Sequence, residues 1–349
     1  MPDLVVAGAG MAGLAAAARA RELGADVVAY EKGDRPGGSM LLSSGVVWRF
    51  REWETFRAEC PGGEPALQRA VWEGLDDALA WLESLGAPVV ARETGNPLTT
   101  GVRFDPRGLT EALAKEILLG TPLLEIPDRI PTILATGGFQ GDPELVRRYV
   151  TAEELLLRAN PWSAGDGLRL ALQRGAELSG GLDEFYGRNM AAVARPLEPG
   201  ELVSLAQVYA RYALVENAGG ERFEARHWAD LDVVQWTARQ PGARACYVVP
   251  DEALGERVRE RTVGEVIEAA RQAGAPVERR DGATRVEVRA AITTTLGGIR
   301  VDGRGRAADG LWVVGADAGG ISSGGWSSAL ASALVLGRIA AEDALESSK

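Results

Sequence analysis

The stretch DLVVAGAGMAGLAAAARARELGADVVAYEK, residues 3–32, decides the fold of this chain. An apolar run, LVVA, leads directly into GAGMAG, residues 8–13, and an alanine-rich helical segment follows. In such a loop the first glycine makes a tight turn, the second lets a phosphate reach the backbone, and the third lets helix and strand pack closely. Glu31 ends the next apolar run, at a spacing suited to ribose hydroxyls. The stretch therefore predicts dinucleotide binding at a helix N-terminus.

Outward from this stretch, helical segments alternate with short runs rich in valine and isoleucine. Four of these segments end in a glycine that is followed by alanine and an extended run, and these glycines are Gly24, Gly86, Gly175 and Gly274. A glycine just past a helix takes the left-handed conformation that ends it. The alternation predicts an α/β fold with a largely parallel sheet.

Length, composition and charge argue against several classes of protein. A length of 349 residues suggests two domains, and the net charge of -11 argues against a nucleic-acid partner. No apolar run approaches the roughly 20 residues of a membrane helix, and the first residues enter a strand without a basic leader. Cys60 and Cys246 are too few for a disulfide framework and lack metal-site spacing. We therefore expect a cytoplasmic protein with reduced thiols and no metal site.

A second loop rich in glycine and serine, KGDRPGGSMLLSSGVV, residues 32–47, stands directly behind Glu31. On composition alone, it could also be a flexible surface loop. Further glycine-rich stretches follow along the chain: ILATGGFQGDPELVRRYV (133–150), SAGDGLRLALQRGAEL (163–178), TTLGGIRVDGRG (294–305) and LWVVGADAGGISSGG (311–325). In this order they resemble the fumarate reductase and succinate dehydrogenase flavoprotein superfamily, to which 3-ketosteroid dehydrogenases are also related.

The resemblance implies an α/β fold, in which a Rossmann-like FAD-binding domain is built from two sequence-distant parts. These parts are residues 1–183 and 290–349, and an α+β cap domain occupies residues 184–289, where tyrosine, tryptophan and arginine are interleaved. The expected FAD-binding residues are Gly8, Ala9, Gly10, Met11, Ala12, Gly13, Glu31, Lys32, Gly37, Gly38, Ser39, Ser43, Ser44, Gly45, Thr136, Gly137, Asp166, Gly315, Asp317, Ser327, Ser328, Ala329 and Leu330.

The resemblance also implies roles for particular residues and segments. By the resemblance, Asp317 binds ribityl or ribose hydroxyls, and residues 327–330 begin a helix whose N-terminus stabilises negative charge on the flavin. Gly297 and Gly298 let the chain pass close to the flavin as it returns from the cap, with a hairpin turn as the alternative. The short segment 109–133 allows one helix, one short strand and a turn, where relatives have more.

The chain departs from the family pattern where fumarate reductases carry their chemistry. Thr294 stands in place of a histidine, and ISSGGWSSAL, residues 321–330, lacks an arginine. The acid of the Arg-Phe-x-x-Glu motif is also missing, since Arg226 occupies its place after Arg222. These departures argue against dicarboxylate reduction. The second glycine loop has no histidine or cysteine for covalent attachment, so we expect non-covalent FAD.

Tyrosines and arginines of the cap are the catalytic candidates. The stretch DEFYGRNM supplies Tyr186 and Arg188, and AQVYARYAL supplies Tyr209 and Arg211, which share a face at strand spacing. Tyrosine can donate to a carbonyl or shuttle a proton, and arginine can hold a carboxylate. The alternative is a half-buried sheet face. His227, the single histidine, is either an acid or base or a structural residue.

The expected function is that of an FAD-dependent oxidoreductase acting on a small-molecule substrate. It would move a hydride between the flavin and a carbon-carbon bond adjacent to a carbonyl or carboxylate, using an electron acceptor that the sequence does not identify. The alternative is a flavin-binding protein without catalytic turnover, a scaffold that has lost its catalytic positions.

Overall fold

The computed structural model describes residues 1–225 and 230–347, and the chain divides into two compact units. Unit 1 consists of Met1–Asp142, Ala159–Glu184 and Thr294–Lys349. Unit 2 consists of Pro143–Arg158 and Phe185–Thr293. Unit 2 is thus inserted into unit 1 along the chain.

The helices of the described residues are α1 (Met11–Glu22), α2 (Trp53–Glu59), α3 (Pro65–Ser84), α4 (Pro106–Leu113), α5 (Pro143–Tyr149), α6 (Asp166–Gln173), α7 (Glu201–Ser204), α8 (Asp230–Ala238), α9 (Val263–Gln272) and α10 (Ala329–Glu346). Their strands are β1 (Leu4–Ala7), β2 (Val27–Tyr30), β3 (Val46–Phe50), β4 (Val89–Ala91), β5 (Thr99–Phe104), β6 (Ile117–Leu118), β7 (Thr132–Leu134), β8 (Leu156–Leu157), β9 (Phe185–Ala191), β10 (Leu214–Glu216), β11 (Arg244–Pro250), β12 (Arg257–Val258), β13 (Arg261–Thr262), β14 (Val277–Arg280), β15 (Ala283–Thr295), β16 (Arg306–Ala308) and β17 (Leu311–Val313). In the described ranges, every helix is too short or too polar to cross a membrane.

Unit 1 is built on a six-stranded sheet of order β16-β17-β7-β1-β2-β6. Its strands run parallel except β16, which pairs antiparallel with β17. The central strands β1, β7 and β17 are buried throughout, as expected of parallel strands covered on both faces. A separate three-stranded antiparallel sheet, β3-β5-β4, belongs to the same unit. The predicted largely parallel sheet is therefore confirmed.

The two ends of the chain meet where α1 and α10 pack together. Alanine-rich α1 is buried along most of its length, and α10 is apolar with a buried core of small and aliphatic residues. A Cβ on Gly337 of α10 would lie 2.5 Å from the carbonyl oxygen of Ala12. Small residues on both helices thus allow an approach that brings the last helix onto the first glycine loop.

The predicted helix stops are confirmed. Gly24, Gly86, Gly175 and Gly274 have φ angles of 88, 84, 81 and 90°. Each stands two residues beyond the end of α1, α3, α6 or α9. The left-handed conformation, which L side chains rarely adopt, ends each helix at the residue type that tolerates it. Segment 109–133 contains the end of α4, the short β6 and the start of β7, in agreement with the prediction.

Unit 2 contains an antiparallel sheet of order β10-β11-β15-β14, and β8 and β9 also pair with β15. Its core includes Val215, Val249 and Val286. The predicted cap, residues 184–289, differs from unit 2 by one residue at its start and four at its end, 185 and 293. Residues 143–158, which the prediction assigned to the first part of the FAD-binding domain, instead belong to unit 2, because β8 pairs parallel with β15.

Candidate functional site

The first glycine loop joins β1 to α1 in unit 1. Gly8 has a φ of 101°, and a Cβ there would overlap the carbonyl oxygen of Ala135 at the end of β7. A Cβ on Gly13 would overlap the carbonyl oxygen of Gly8. Gly10 is the N-cap of α1, and a Cβ there would meet no atom within 4 Å. Two glycines therefore shape the loop, and the third keeps open the approach to the helix N-terminus.

The N-terminus of α1 is arranged for an anion. Gly10 provides no side-chain hydrogen bond to the first-turn amides, and no acidic residue lies in that turn. Helix N-termini carry a partial positive charge and N–H groups that lack partners within the helix. The open approach at Gly10 and these amides fit a pyrophosphate, which is the group that the sequence motif predicts here.

Glu31 occupies the end of β2, where the sequence places it, and only 8% of it is exposed. One carboxylate oxygen accepts a hydrogen bond of 2.7 Å from the amide of Ala9, and the other accepts one of 2.6 Å from the amide of Gly33. The carboxylate therefore braces the first glycine loop against the turn after β2. Its expected role toward ribose hydroxyls remains a prediction.

The second glycine loop packs directly on the first. Gly37 donates a hydrogen bond of 2.7 Å to the carbonyl oxygen of Ala9, and a Cβ on Gly38 would lie 3.1 Å from the Cα atom of Gly10. Gly37 and Gly38 both have positive φ angles, 106 and 52°. The loop is thus an ordered wall beside the first loop and not a free surface segment.

The serines of this loop form hydrogen bonds within the loop and with residues distant in sequence. The hydroxyl of Ser39 accepts a hydrogen bond of 2.8 Å from Asn160. Ser43 accepts one of 3.1 Å from the amide of Gly45, while the carbonyl of Ser44 accepts one from Arg103. These contacts hold the loop backbone between the 3-10 turn at Gly38–Leu42 and β3.

Asp317 is fully buried and binds the loop after β7. One carboxylate oxygen accepts from the amide of Thr136, and the other accepts from the Thr136 hydroxyl at 3.1 Å and the Gly138 amide at 2.8 Å. Burial raises the pKa of this carboxyl, and these hydrogen bonds oppose the rise. Because both oxygens are occupied, Asp317 acts as a clamp on residues 136–138. The expected bonds of Asp317 to ribityl or ribose hydroxyls remain a prediction.

Thr136 extends this clamp to α6. Its hydroxyl accepts a hydrogen bond of 2.9 Å from the amide of Gly167, in the first turn of α6. Asp166, which begins α6, forms an ion pair of 2.8 Å with Lys32 after β2. The expected residues Lys32, Thr136, Asp166 and Asp317 are therefore brought into one connected region of unit 1. Gly137 lies between the clamped residues with a φ of 101°.

The N-terminus of α10 is capped by the side chain of Ser328, its own N-cap residue. Ser328 accepts a hydrogen bond of 3.2 Å from the amide of Ala331, and the hydroxyls of Ser322 and Ser327 bond at 2.6 Å. The first turn, which contains Ala329 and Leu330, has no acidic residue. Gly315, with a φ of 67°, begins a 3-10 turn before this helix, where a Cβ would lie 3.0 Å from that of Ala12.

Gly297 and Gly298 are explained by close backbone approach and not by a hairpin turn. A Cβ on Gly297 would lie 2.5 Å from the amide nitrogen of Leu182, and one on Gly298 would overlap the carbonyl oxygen of Asp317. Ile299 then forms bridges with Leu178 and Ala318. The chain thus continues extended after β15, between two other backbone segments of unit 1.

The strand prediction for Tyr209 and Arg211 is wrong. Residues 210–212 form a 3-10 turn with Tyr209 at its N-cap, so the two side chains do not share a strand face. Tyr209 is fully buried in the core of unit 2, where its hydroxyl donates to Gln207 at 2.8 Å and its ring contacts Tyr247 edge-on. Burial raises the pKa of Tyr209 well above its usual value. Arg211 is exposed and donates to the hydroxyl of Tyr212.

Tyr186 and Arg188 do stand on one strand, β9, at alternate positions. Both are half-buried, and the guanidinium carbon of Arg188 lies 4.9 Å from the centre of the Tyr186 ring. Such a cation–π contact orients the ring. His227 and Arg226 lie outside the described residues.

Sequence reasoning missed three polar residues of unit 1. The amide of Asn160 supports both Ser39 and the backbone of residues 162–163. Gln140 donates to the carbonyl oxygen of Gly137 at 2.8 Å. The hydroxyl of Thr295 is buried without a hydrogen-bond partner among the described residues. Thr295 lies within the TTLGGI stretch, so its position was marked, but neither spacing nor residue type indicated the roles of Asn160 and Gln140.

Comparisons with known proteins agree with this geometry. The FAD binding domain family matches residues 3–122 and 123–329. The vinyl phenol reductase of Lactiplantibacillus plantarum is 24% identical over an alignment of 246 residues, which covers 56% of this chain and 50% of that protein. The chain therefore spans half the length of the curated relative it matches.

Solved structures show the same fold. A flavocytochrome c3 fumarate reductase in an open conformation gives a TM-score of 0.74 at 19% identity, covering 99% of this chain and 78% of that one. The 3-ketosteroid delta1-dehydrogenase of Sterolibacterium denitrificans gives 0.73 at 15% identity, with 99% of each chain covered. The 3-ketosteroid-delta4-(5alpha)-dehydrogenase of Rhodococcus jostii RHA1 gives 0.73 at 16%, covering 100% and 97%.

The match to the family extends over most of the chain, and unit 1 presents the two glycine loops and the open helix N-terminus that FAD requires. The chain therefore belongs to the FAD binding domain family, with FAD as its cofactor.

Proposed function

We propose that this protein moves a hydride between FAD and a carbon-carbon bond adjacent to a carbonyl or carboxylate of a small molecule. FAD, when bound, supplies the hydride chemistry. The names of the relatives support a reaction at such a bond, since fumarate and a vinyl phenol each contain a carbon-carbon double bond and a ketosteroid contains a carbonyl.

The observation that carries the proposal is the pairing of Tyr186 with Arg188 on β9. The half-buried phenol lies 4.9 Å from a guanidinium carbon, so a donor and a cation are presented together. A tyrosine hydroxyl can donate to a substrate carbonyl oxygen and pass a proton, and a guanidinium can hold a carboxylate. Because Tyr209 is enclosed in the core of unit 2, we assign the chemistry to Tyr186 and Arg188 and no longer to Tyr209 and Arg211.

On the FAD side, we propose that the amides of residues 10–13 bind the pyrophosphate and that Glu31 faces the ribose. The amides at the start of α10 would face the flavin ring. We also propose that FAD is bound without a covalent bond, because residues 32–47 contain neither histidine nor cysteine. A cytoplasmic location is proposed from the two cysteines, Cys60 and Cys246, which are both free thiols.

The test compares Tyr186→Phe with Tyr209→Phe, which loses the same hydroxyl from a buried position of the same unit. Both variants should retain the flavin spectrum. In anaerobic stopped-flow experiments with a confirmed substrate, we expect Tyr186→Phe to slow flavin reduction by about 100- to 10,000-fold, the range of general acid-base catalysis. Tyr209→Phe should react at nearly the wild-type rate. Equal rates for Tyr186→Phe and the wild type would remove Tyr186 from the chemistry.

The second candidate is a flavin-binding protein without turnover. It is favoured by Thr294, which stands where fumarate reductases have a histidine and whose hydroxyl bonds only to the neighbouring carbonyl of Thr295 among the described contacts, at 3.3 Å. A panel of enoates, enones, steroids and vinyl phenols, with quinones, dyes and oxygen as acceptors, separates the two candidates. An enzyme gives substrate-dependent bleaching or reoxidation of the flavin, and a scaffold gives neither.

A further inference from the structure

The indole ring of Trp162 lies on the turn that follows β2 in unit 1. Its atoms Cε3, Cζ3 and Cδ2 would lie 2.5, 2.7 and 2.8 Å from a Cβ placed on Gly33, so the ring covers the Cα atom of this glycine. The amide of Gly33 donates to the carboxylate of Glu31 at 2.6 Å. The guanidinium carbon of Arg35 lies 5.2 Å from the centre of the Trp162 ring. The half-buried indole therefore stands beside the carboxylate that we propose to face the ribose.

The backbone around Trp162 is fastened on both sides of this residue. The amide of Trp162 donates to the Oδ1 atom of Asn160 at 3.0 Å, and the side-chain amide of Asn160 donates to the hydroxyl of Ser39 at 2.8 Å. Further along the chain, Asp166 forms its ion pair of 2.8 Å with Lys32. The segment that contains Trp162 is thus attached both to the second glycine loop and to the turn after β2.

The parallel sheet sets the order of these groups along its edge. Strands β1, β2 and β6 are neighbours in this order, and ligands of such sheets lie beyond the carboxyl ends of the strands. The N-terminus of α1 follows β1, and Glu31 follows β2. After β6, the amide of Gly120 donates to the carbonyl oxygen of Gly33 at 2.9 Å. The turn that Trp162 covers therefore lies on the β6 side of β2, the side away from β1.

This order matches the order of the groups in the adenosine half of FAD. We have assigned the pyrophosphate to the N-terminus of α1 and the ribose to Glu31. The adenine is joined directly to that ribose, so the turn after β2 is the next position along the edge. Aromatic side chains stack on the flat faces of bases, and the guanidinium of Arg35 adds a cation that favours such rings.

We propose that the indole ring of Trp162 stacks against the adenine of FAD. The proposal rests on one part of the proposed function, the assignment of Glu31 to the ribose, and it does not depend on the reaction. It adds to the cofactor site a residue that belongs to neither glycine loop.

The test measures binding to the apoprotein by calorimetric titration with FAD, ADP and inorganic pyrophosphate. ADP carries the adenine and the ribose of FAD, whereas pyrophosphate carries no base. We expect Trp162→Leu to weaken the binding of FAD and ADP by about 10- to 100-fold and to leave pyrophosphate binding unchanged. Trp162→Phe, which keeps an aromatic ring, should restore part of the affinity.

Gly33→Ala offers a second route to the same effect, because its Cβ would displace the Trp162 ring without removing it. We expect this variant to bind ADP more weakly than the wild type. The double variant Gly33→Ala/Trp162→Leu should bind ADP as Trp162→Leu does, since it has no ring left to displace.

Fluorescence supplies a readout that a purely structural role of Trp162 would not change. A base stacked on the indole should quench its emission, so the quenching that ADP causes in the wild type should be lost in Trp162→Phe. The matched control is Trp236→Phe, which removes an indole of unit 2 that packs on Phe223. This control should keep both the affinity for ADP and the quenching.

Three results would overturn the proposal. They are absence of ADP binding to the wild type, wild-type ADP affinity in a folded Trp162→Leu, and a loss of pyrophosphate binding as large as that of ADP binding. Melting temperatures of the apoproteins check folding, and the quenching measured with Trp162→Phe serves if Trp162→Leu does not fold.

The proposed function fails separately, because these measurements involve no turnover. If ADP affinity depends on Trp162 while no compound of the substrate panel changes the flavin, the adenine contact stands and the reaction does not. If Glu31→Gln binds ADP as tightly as the wild type while Trp162→Leu does not, the adenine contact stands and the ribose assignment does not.

Discussion

Gly10 and Gly13 belong to the same loop but are required by different partners. A Cβ on Gly13 would overlap the carbonyl oxygen of Gly8, so this glycine is needed by the polypeptide itself. A Cβ on Gly10 would meet no protein atom within 4 Å, and its φ of -79° suits any residue. We therefore propose that the cofactor, and not the protein, requires glycine at position 10.

For this reason Gly10→Val should abolish FAD retention without unfolding the apoprotein. The β-branched side chain would fill the space of the pyrophosphate, while the backbone conformation and the packing of α1 stay the same. Flavin content after purification and the melting temperature of the apoprotein measure the two effects. A variant that retains normal flavin content would refute the assignment of this loop.

The carboxyl of Asp317 has a raised pKa, mainly through burial, so the folded protein binds its proton more tightly than the unfolded chain does. The contribution of this group to stability is therefore greatest below the ordinary aspartate value. It falls as the pH rises from that value through the raised one.

The Asp317→Asn variant tests both the contribution of these hydrogen bonds to stability and the direction of its pH dependence. Loss of one acceptor oxygen should lower the free energy of unfolding of the apoprotein by about 1 to 3 kcal/mol at neutral pH. The advantage of the wild type should increase as the pH is lowered through the window in which Asp317 gains its proton. Urea unfolding of the wild-type and Asp317→Asn apoproteins over that pH range measures the difference in their free energies of unfolding. A stability difference seen only with FAD bound would instead make Asp317 a direct ligand.

For single residues, the sequence predicted the roles that depend on the conformation of neighbouring residues. The turn at Gly8, with its φ of 101°, and the close contact of Gly13 with Gly8 were predicted correctly, because both arise within a few residues. The partners of Asp317 lie 181 residues away in Thr136. Tyr209 is buried by strands distant in sequence. Neither the contact of Asp317 with Thr136 nor the burial of Tyr209 can be predicted from the residues next to them in the sequence.

Helices α1 and α10 cross with their backbones close together, so that a side chain at the crossing has no room. Gly337 stands where a Cβ would lie 2.5 Å from the carbonyl oxygen of Ala12, and the backbone of α1 cannot move aside as a side chain could. The hydrophobic face of α10 gains its burial from this approach.

We expect Gly337→Ala to lower the free energy of unfolding by about 1 to 3 kcal/mol, the cost of overpacking. Alanine favours a helix over glycine, so propensity alone predicts the opposite sign. Gly180→Ala is the matched control, because a Cβ there meets nothing within 4 Å. Chemical denaturation of the three proteins decides between packing and propensity, and a stabilised Gly337→Ala would show that the helices can separate at no cost.

Element prediction succeeded at the ends of helices and failed at the 3-10 turn of residues 210–212. Glycine at a helix end acts through its own φ angle, so the sequence contains the signal. The alternating pattern YARY suited a strand, but these residues turn so that Tyr209 enters the core and Arg211 stays exposed. A period of two cannot distinguish these outcomes when only four residues contribute.

For the whole molecule, unit 1 is assembled from three separate segments of chain, which meet unit 2 at four boundaries. The resemblance implied two boundaries, which differ by one and four residues from those at 184/185 and 293/294. The other two, which enclose residues 143–158, were not expected, because β8 has only two residues and its partner strand lies more than a hundred positions later. Pairing between distant strands depends on the complete fold, and a strand of this length has no pattern of its own.

Removal of FAD should therefore act on one unit more than the other. A ligand that binds only the folded state stabilises the structure around it. We expect amides 10–13 and 136–138 to exchange hydrogen faster in the apoprotein, with the core amides of unit 2 at residues 286–288 as an internal reference. Equal acceleration in both sets would place the effect of FAD on the whole chain and not on its cradle.

The hydrogen bonds between Thr136 and Asp317 also bear on the order in which the chain can fold during its synthesis. A nascent chain that has emerged to residue 183 already displays both glycine loops, yet it lacks the carboxylate that fixes residues 136–138. It also lacks β17, which covers β7, so the buried edge of β7 is open to pairing with other chains. We therefore expect FAD to bind only after Asp317 has been synthesised, and we expect the incomplete sheet to be prone to aggregation until then.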